Sequence, residues 1–196
     1  MTGAQIRRGD SILQSWRIRT TAPYIRPGAH VLDIGCGDGA LFRALGGRIA
    51  SGVGIDTSSV PPDRGSFRFI QGDAPQALPS GERYDAITLL AVMEHIPPTA
   101  QRDLAAACRA LLRPRGRIVC TVPSPRADSL IHLGQRLGAL DGIAEHEHYG
   151  FEPRDTIGVF AGSGFRLLRH RRFQLGLNHL FVFGRGDDAS HSPIRS

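Results

Sequence analysis

The sequence predicts an α/β fold: a seven-stranded, mostly parallel sheet with an antiparallel closing strand and helices on both faces. Short apolar runs alternate with helix-length runs along most of the chain, the pattern of βαβ units. A glycine-rich turn follows the first apolar run, where an open α/β sheet places its ligand. The last two apolar runs are joined only by LGLN, too short for a crossover, so they pair antiparallel. A chain of 196 residues fits one domain.

Residues 11–24 carry Ile12, Leu13, Trp16 and Ile18 among arginines and break at Pro23 and Pro27, which predicts a helical lead-in over residues 1–27. HVLDIG is a buried strand, GALFRAL opens a helix, and ASGVGID is a second strand ending on Asp56. FRFIQGD and YDAITLLAV are the third and fourth strands, the latter apolar on both faces as a central parallel strand is. PPTAQRDLAAACRALLR is a helix opened by Pro97 and Pro98 and closed before Pro114, and GRIVCTVP is the fifth strand.

Residues 124–151 are longer than an ordinary connection and read as a lid or binding insertion, with an apolar-striped helix around residues 130–140 and then EHEHYGF. PRDTIGVFAGSGF gives a helix stopped by Gly162 and Gly164, and RLLRHRRFQ with NHLFVFGR forms the closing hairpin. The domain therefore spans residues 28–185, and residues 186–196 are expected to be a disordered tail.

All 24 basic residues are arginine and the formal charge is +6. With arginine standing wherever another chain would carry lysine, its abundance does not single out nucleic acid as a partner. RLLRHRR reads as a solvated strand edge, with no RNA-binding module or stacking motif beside it. The longest apolar stretch, residues 86–93, is too short to span a bilayer, and no secretory segment opens the chain. A cytoplasmic protein with no membrane partner is expected. Cys36, Cys108 and Cys120 show neither metal-ligand nor disulfide spacing, so reduced thiols and no metal are expected.

GCGDGA, residues 35–40, matches the dinucleotide fingerprint G-x-G-x-x-G/A, and Asp56 lies about 20 residues on, where an acid would hold a ribose. A pyrophosphate in that turn would meet two carboxylates, Asp33 and Asp38, which repel it. A ligand carrying positive charge and no phosphate suits the turn better. VLDIGCGDG, GVGID, IQGDA, YDAITLLAVMEHI and LLRPRGRIVCTVP, in this order, resemble the motifs of the class I S-adenosylmethionine-dependent methyltransferases, in their small-molecule branch. The resemblance covers about residues 31–185 and implies a Rossmann-like fold with S-adenosylmethionine as cofactor. It implies that Asp33 and the backbone of Gly35, Cys36, Gly37 and Gly39 hold the methionine end. Asp56, with Thr57 beside it, would accept the ribose hydroxyls, Asp73 with Ala74 would meet the adenine, and Leu90 of the fourth strand would also contact the cofactor. The sequence departs from the family between Asp56 and Gly65, where Pro61 and Pro62 stand in a stretch too short for the usual helix.

A hydroxyl acceptor must lose its proton, and histidine is the side chain suited to take it near neutral pH. His146 and His148 at the end of the insertion, and His95 after the fourth strand, are the candidates. The expected function is methyl transfer to a small molecule, through an oxygen of a glycan or natural product. An RNA methyltransferase and a non-catalytic cofactor-binding subunit are the alternatives.

Overall fold

The computed structural model describes residues 3–124 and 152–188. The elements in chain order are α1 (Gly3–Thr21), β1 (His30–Ile34), α2 (Ala40–Leu45), β2 (Ser51–Asp56), β3 (Phe67–Gln71), β4 (Tyr84–Leu90), α3 (Pro98–Leu111), β5 (Leu112–Pro123), α4 (Asp155–Gly162), β6 (Phe165–Phe173) and β7 (Asn178–Arg185). The strands form one seven-stranded sheet in the order β3-β2-β1-β4-β5-β7-β6. Strands β1 to β5 run parallel, and β7 runs antiparallel between β5 and β6. The expected fold class and closing hairpin are both present.

The sheet is filled from both sides. One face holds Leu32, Ile87, Leu104, Ile118, Phe160 and Phe181 against α3 and α4. The other holds Val31, Leu41, Phe42 and Ile49 against α1 and α2, with Ile18 as α1's buried anchor. Val31 and Leu32 are neighbours on β1 and both fully buried, because successive strand residues point to opposite covered faces. The parallel register aligns Ile34 with Ile55 and Leu89, so the carboxyl ends of β1, β2 and β4 open at one edge.

Several boundaries differ from the sequence reading, each for a local reason. Helix α1 begins at Gly3, ahead of the amphipathic stretch. Strand β4 stops at Leu90 because Ala91 takes a left-handed conformation with φ 59. Strand β5 starts at Leu112, directly after α3, because Leu112 already pairs with Tyr84 on β4, and the irregularity up to Arg117 is absorbed at Arg115, φ 60. The insertion's helix, expected around residues 130–140, lies outside the described residues. Residues 186–188, where the tail was expected to begin, are held. Gly186 donates to the Gly164 carbonyl at 2.9 Å, and Asp187 pairs with Arg185 and Arg109.

The β2–β3 connection contains no helix, as its length required. It folds back on the outer edge of β3 instead. Arg64 and Phe67 exchange backbone hydrogen bonds of 2.8 and 3.0 Å, and the Asp63 carboxylate accepts the Phe69 amide at 2.8 Å. These bonds occupy donors and acceptors that an edge strand otherwise offers to another chain. The missing helix leaves a cavity of about 890 Å³ over Phe42, Phe67, Phe69 and Pro61, on the α2 side of the sheet. Phe42 floors it, stacked on Phe67 with ring centroids 5.2 Å apart. Replacing Phe42, 1% exposed, by alanine should cost about 3 to 5 kcal/mol of stability, read as a lower urea midpoint at unchanged slope.

Candidate active site

A cleft of about 390 Å³ opens at the carboxyl edge, lined by Ile34, Gly35, Ile55, Asp56, Thr57 and Ser58, by Gly72, Asp73 and Ala74, and by Ala91, Val92, His95 and Ile96. Its volume lies within the range of small-molecule sites. The glycine turn after β1 forms one wall. Gly35, Gly37 and Gly39 have φ of 75, 50 and 74, in the left-handed region where glycine is unstrained. A Cβ on Gly35 would stand 2.3 Å from Val92 Cγ2, so that glycine also lets the turn meet the end of β4. A Cβ on Gly37 would meet nothing within 4 Å, which leaves open space beside the turn.

Four amides of this turn are already donated. Gly35 and Cys36 both donate to the Ile55 carbonyl, at 2.8 and 3.1 Å, Gly37 donates to Asp56 Oδ2 at 2.8 Å, and Gly39 donates to the Cys36 carbonyl at 2.9 Å. A phosphate cradle needs free amides, and these are committed to the protein. The cleft instead presents acceptors, the carboxylates of Asp56 and Asp73. Asp56 takes one backbone amide on each oxygen, Gly37 on Oδ2 and Ser58 on Oδ1 at 2.9 Å. Each oxygen keeps a further lone pair for a ligand hydroxyl, and the two amides fix the carboxylate's orientation. A nucleoside with ribose hydroxyls, an exocyclic amine and a cationic end therefore fits this donor-poor, acceptor-rich cleft. S-adenosylmethionine has all three.

The sequence-derived residues divide between the cleft and its supports. Gly35, Asp56, Thr57, Asp73, Ala74 and His95 line it together. Asp33 lies below the turn in β1, 3% exposed, and accepts the Thr88 hydroxyl at 2.6 Å. Burial pushes its carboxyl up to about 7, the Thr88 hydrogen bond opposes that rise, and the charge of Asp56 adds to it. Asp38 turns away from the cleft, caps α2 by accepting the Ala40 amide at 3.2 Å, and pairs with Arg43. The carboxylates that face the cleft are those of Asp56 and Asp73, not Asp38. The Cys36 side chain is buried beneath the turn, where a Cβ on Gly54 would approach its sulfur to 2.8 Å. Burial, with the charges of Asp33 and Asp56, lifts its thiol to about 12, so it is a packing group. Leu90 packs into the core on the α2 side, and Ala91 and Val92 take its place at the cleft. His146 and His148 lie outside the described residues.

The sequence reading did not single out His170 and His179. On neighbouring strands β6 and β7, they meet at 2.9 Å between Nε2 and Nδ1, with His170 stacked on Phe181. Burial, then the charges of His170 and Arg172, lowers His179 to about 4 and keeps it neutral. The signal was present only as a cross-strand pairing, which needs the hairpin register to be seen. Among the described residues, no three histidine, cysteine, aspartate or glutamate side chains converge as a metal site.

A family model described as a methyltransferase domain matches residues 8–170. The chain belongs to this methyltransferase family. Its sheet order and glycine turn are those of the class I, S-adenosylmethionine-dependent members. The methyltransferase is 32% identical over 102 residues to a ubiquinone biosynthesis O-methyltransferase of Stutzerimonas stutzeri, a match covering 46% of this chain and 43% of that one. The match thus spans less than half the length of these curated relatives. Among solved structures, magnesium protoporphyrin IX methyltransferase from Synechocystis, with S-adenosylhomocysteine bound, superposes with TM-score 0.64 at 21% identity, covering 94% of this chain and 88% of that one. The 1,6-didemethyltoxoflavin-N1-methyltransferase of Burkholderia thailandensis superposes with TM-score 0.65 at 21% identity, covering 94% and 89%. At these identities the likeness is one of fold.

Asp33 yields a pH-dependent prediction. Its carboxyl rises from 3.8 to about 7 on folding, so the unfolded chain ionises first and stability falls as pH rises between about 4 and 7. Asp33→Asn removes that loss while keeping an acceptor for Thr88. Denaturant melts should show the variant more stable by on the order of 4 kcal/mol above pH 7 and indistinguishable near pH 4.

Proposed function

We propose that this methyltransferase moves the methyl group of S-adenosylmethionine to an oxygen nucleophile of a small molecule, a hydroxyl of a glycan or natural product. The observation that carries the reading is the cleft itself, in which Asp56, Asp73 and His95 converge beside a turn four of whose amides are already donated within the protein. Its similarity to ubiquinone biosynthesis O-methyltransferases supports oxygen as the accepting atom. When bound, S-adenosylmethionine supplies a sulfonium-activated methyl group. Asp56 accepts the ribose hydroxyls through the lone pairs its two amide bonds leave, and Asp73, whose carboxylate has no hydrogen-bond partner among the described residues, accepts the adenine amine.

His95 stands at the mouth of the cleft, exposed, at the end of the 3-10 turn Met93–His95 that follows β4. We assign it the acceptor's proton. A neutral imidazole there takes the hydroxyl hydrogen as the oxygen attacks, and the remaining acceleration comes from positioning. His146 and His148 are the alternative bases on the grounds of sequence.

The direct test is a screen of hydroxylated acceptors with methyl-labelled cofactor and mass detection of product. With an acceptor in hand, His95→Ala should lower kcat by roughly 10²-fold while S-adenosylhomocysteine affinity stays within error. Full turnover in His95→Ala with loss in the His146→Ala/His148→Ala double variant would move the base to the insertion. Asp56→Ala should weaken cofactor affinity by about 2 to 4 kcal/mol in calorimetry, because two charge-assisted hydrogen bonds disappear.

A further inference from the structure

Leu175 is fully exposed, at 102%, in the 3-10 turn Gln174–Gly176 that joins β6 to β7. It also sits at φ 56, directly after Gln174 at φ 51. That left-handed region favours glycine or asparagine, so a leucine there is disfavoured by its backbone and gains nothing by packing within the chain. Its side chain is an apolar tip held out from the surface.

The tip has neighbours of the same kind. The Gln174 amide donates to the Leu13 carbonyl at 3.3 Å, which sets the turn against α1 at the helix position where the exposed apolar residues cluster. Ile12, Leu13 and Trp16 are 59, 38 and 47% exposed, and their spacing puts them on adjoining positions of the helix surface. Ile18, by contrast, is buried and anchors α1 to the domain. One edge of the molecule thus presents the hairpin tip and an apolar stripe of α1 side by side.

Three arginines flank this edge. Arg169 and Arg171 pair across the ladder with Val182 and Leu180, which places them on the sheet face that packs Phe173 and Tyr24, the face α1 follows. Arg19 is exposed one helical turn beyond Trp16. None of Arg19, Arg169 and Arg171 has an ion pair among the described residues, and β6 carries no acid. Protruding apolar side chains with a tryptophan among them, flanked by unpaired arginines, match the two layers of a lipid interface: an apolar interior beneath anionic headgroups. Among the described residues no helix is long and apolar enough to cross a membrane, and surface attachment requires none.

We propose that α1 and the β6–β7 turn form a docking surface for an anionic lipid membrane, with Trp16, Leu13, Ile12 and Leu175 entering the interface and Arg19, Arg169 and Arg171 meeting the headgroups. The proposal stands independently of which acceptor the cleft takes.

Trp16 is the chain's one tryptophan, so its fluorescence reports on this surface directly. Adding vesicles of mixed phosphatidylcholine and phosphatidylglycerol to the full chain at physiological ionic strength should shift the emission to the blue, and pure phosphatidylcholine should do so far less. Leu175→Asn suits the left-handed backbone and so keeps the fold, yet it should weaken vesicle partitioning by about tenfold. Arg169→Glu/Arg171→Glu should weaken it by a similar factor, with far-ultraviolet circular dichroism unchanged. No blue shift with anionic vesicles overturns the proposal. Binding that leaves the emission of Trp16 unchanged and is indifferent to Leu175→Asn also overturns it. So does displacement of the vesicles by a single-stranded RNA oligomer that binds more tightly, which would make the surface one for nucleic acid.

Discussion

The architecture of the site depends on how the glycine turn is tied to the end of β2. Gly35 and Cys36 donate to one carbonyl, Ile55, and Gly37 donates to the next side chain, Asp56. Those bonds require a turn with three left-handed glycines, bring Cys36 over Gly54, and leave no room for a side chain between Gly35 and Val92. They also decide the chemistry. A turn with the same glycine spacing and free amides would attract an anion, whereas this one has the amides of Gly35, Cys36, Gly37 and Gly39 engaged and faces the cleft with a carboxylate held rigidly in place. The ligand that completes it must bring hydrogen-bond donors and positive charge.

Burial of Asp33 under the same turn works in the same direction. A carboxyl lifted to about 7 by desolvation is held near its ionisation point at neutral pH, and a cation arriving above it favours the charged form. The cost in stability from a buried acid is tolerated where a cationic ligand is to be bound.

Much of this was legible in the sequence because it rests on local patterning. The strands were readable from apolar runs and the closing hairpin from a connection too short to cross over, and VLDIGCGDG with GVGID placed Asp33, Asp56 and the glycines together. What was hidden depends on partners distant in sequence. Strand β5 begins at Leu112 because Tyr84 awaits it, and Cys36 is buried because Gly54 and Phe69 make space for it. Asp38, which reads as a site carboxylate, serves α2 and Arg43 instead. Leu90 yields its place to Ala91 and Val92 because a left-handed alanine ends β4 early. The proximity of His170 and His179 follows only from the hairpin's register. The abbreviated connection before β3 was visible as a length, but its use as a cover for the edge strand, through Asp63 and Arg64, was not.

The central claim is that the cleft takes a cationic, phosphate-free nucleoside because it is faced by the Asp56 and Asp73 carboxylates while the amides of Gly35, Cys36, Gly37 and Gly39 are already donated within the protein. Calorimetric titration of the full chain with S-adenosylmethionine, S-adenosylhomocysteine, NAD and ATP tests it most directly. The account predicts saturable binding of the first two and no measurable heat from the others. Tight binding of NAD or ATP, with no response to either sulfur compound, would contradict it.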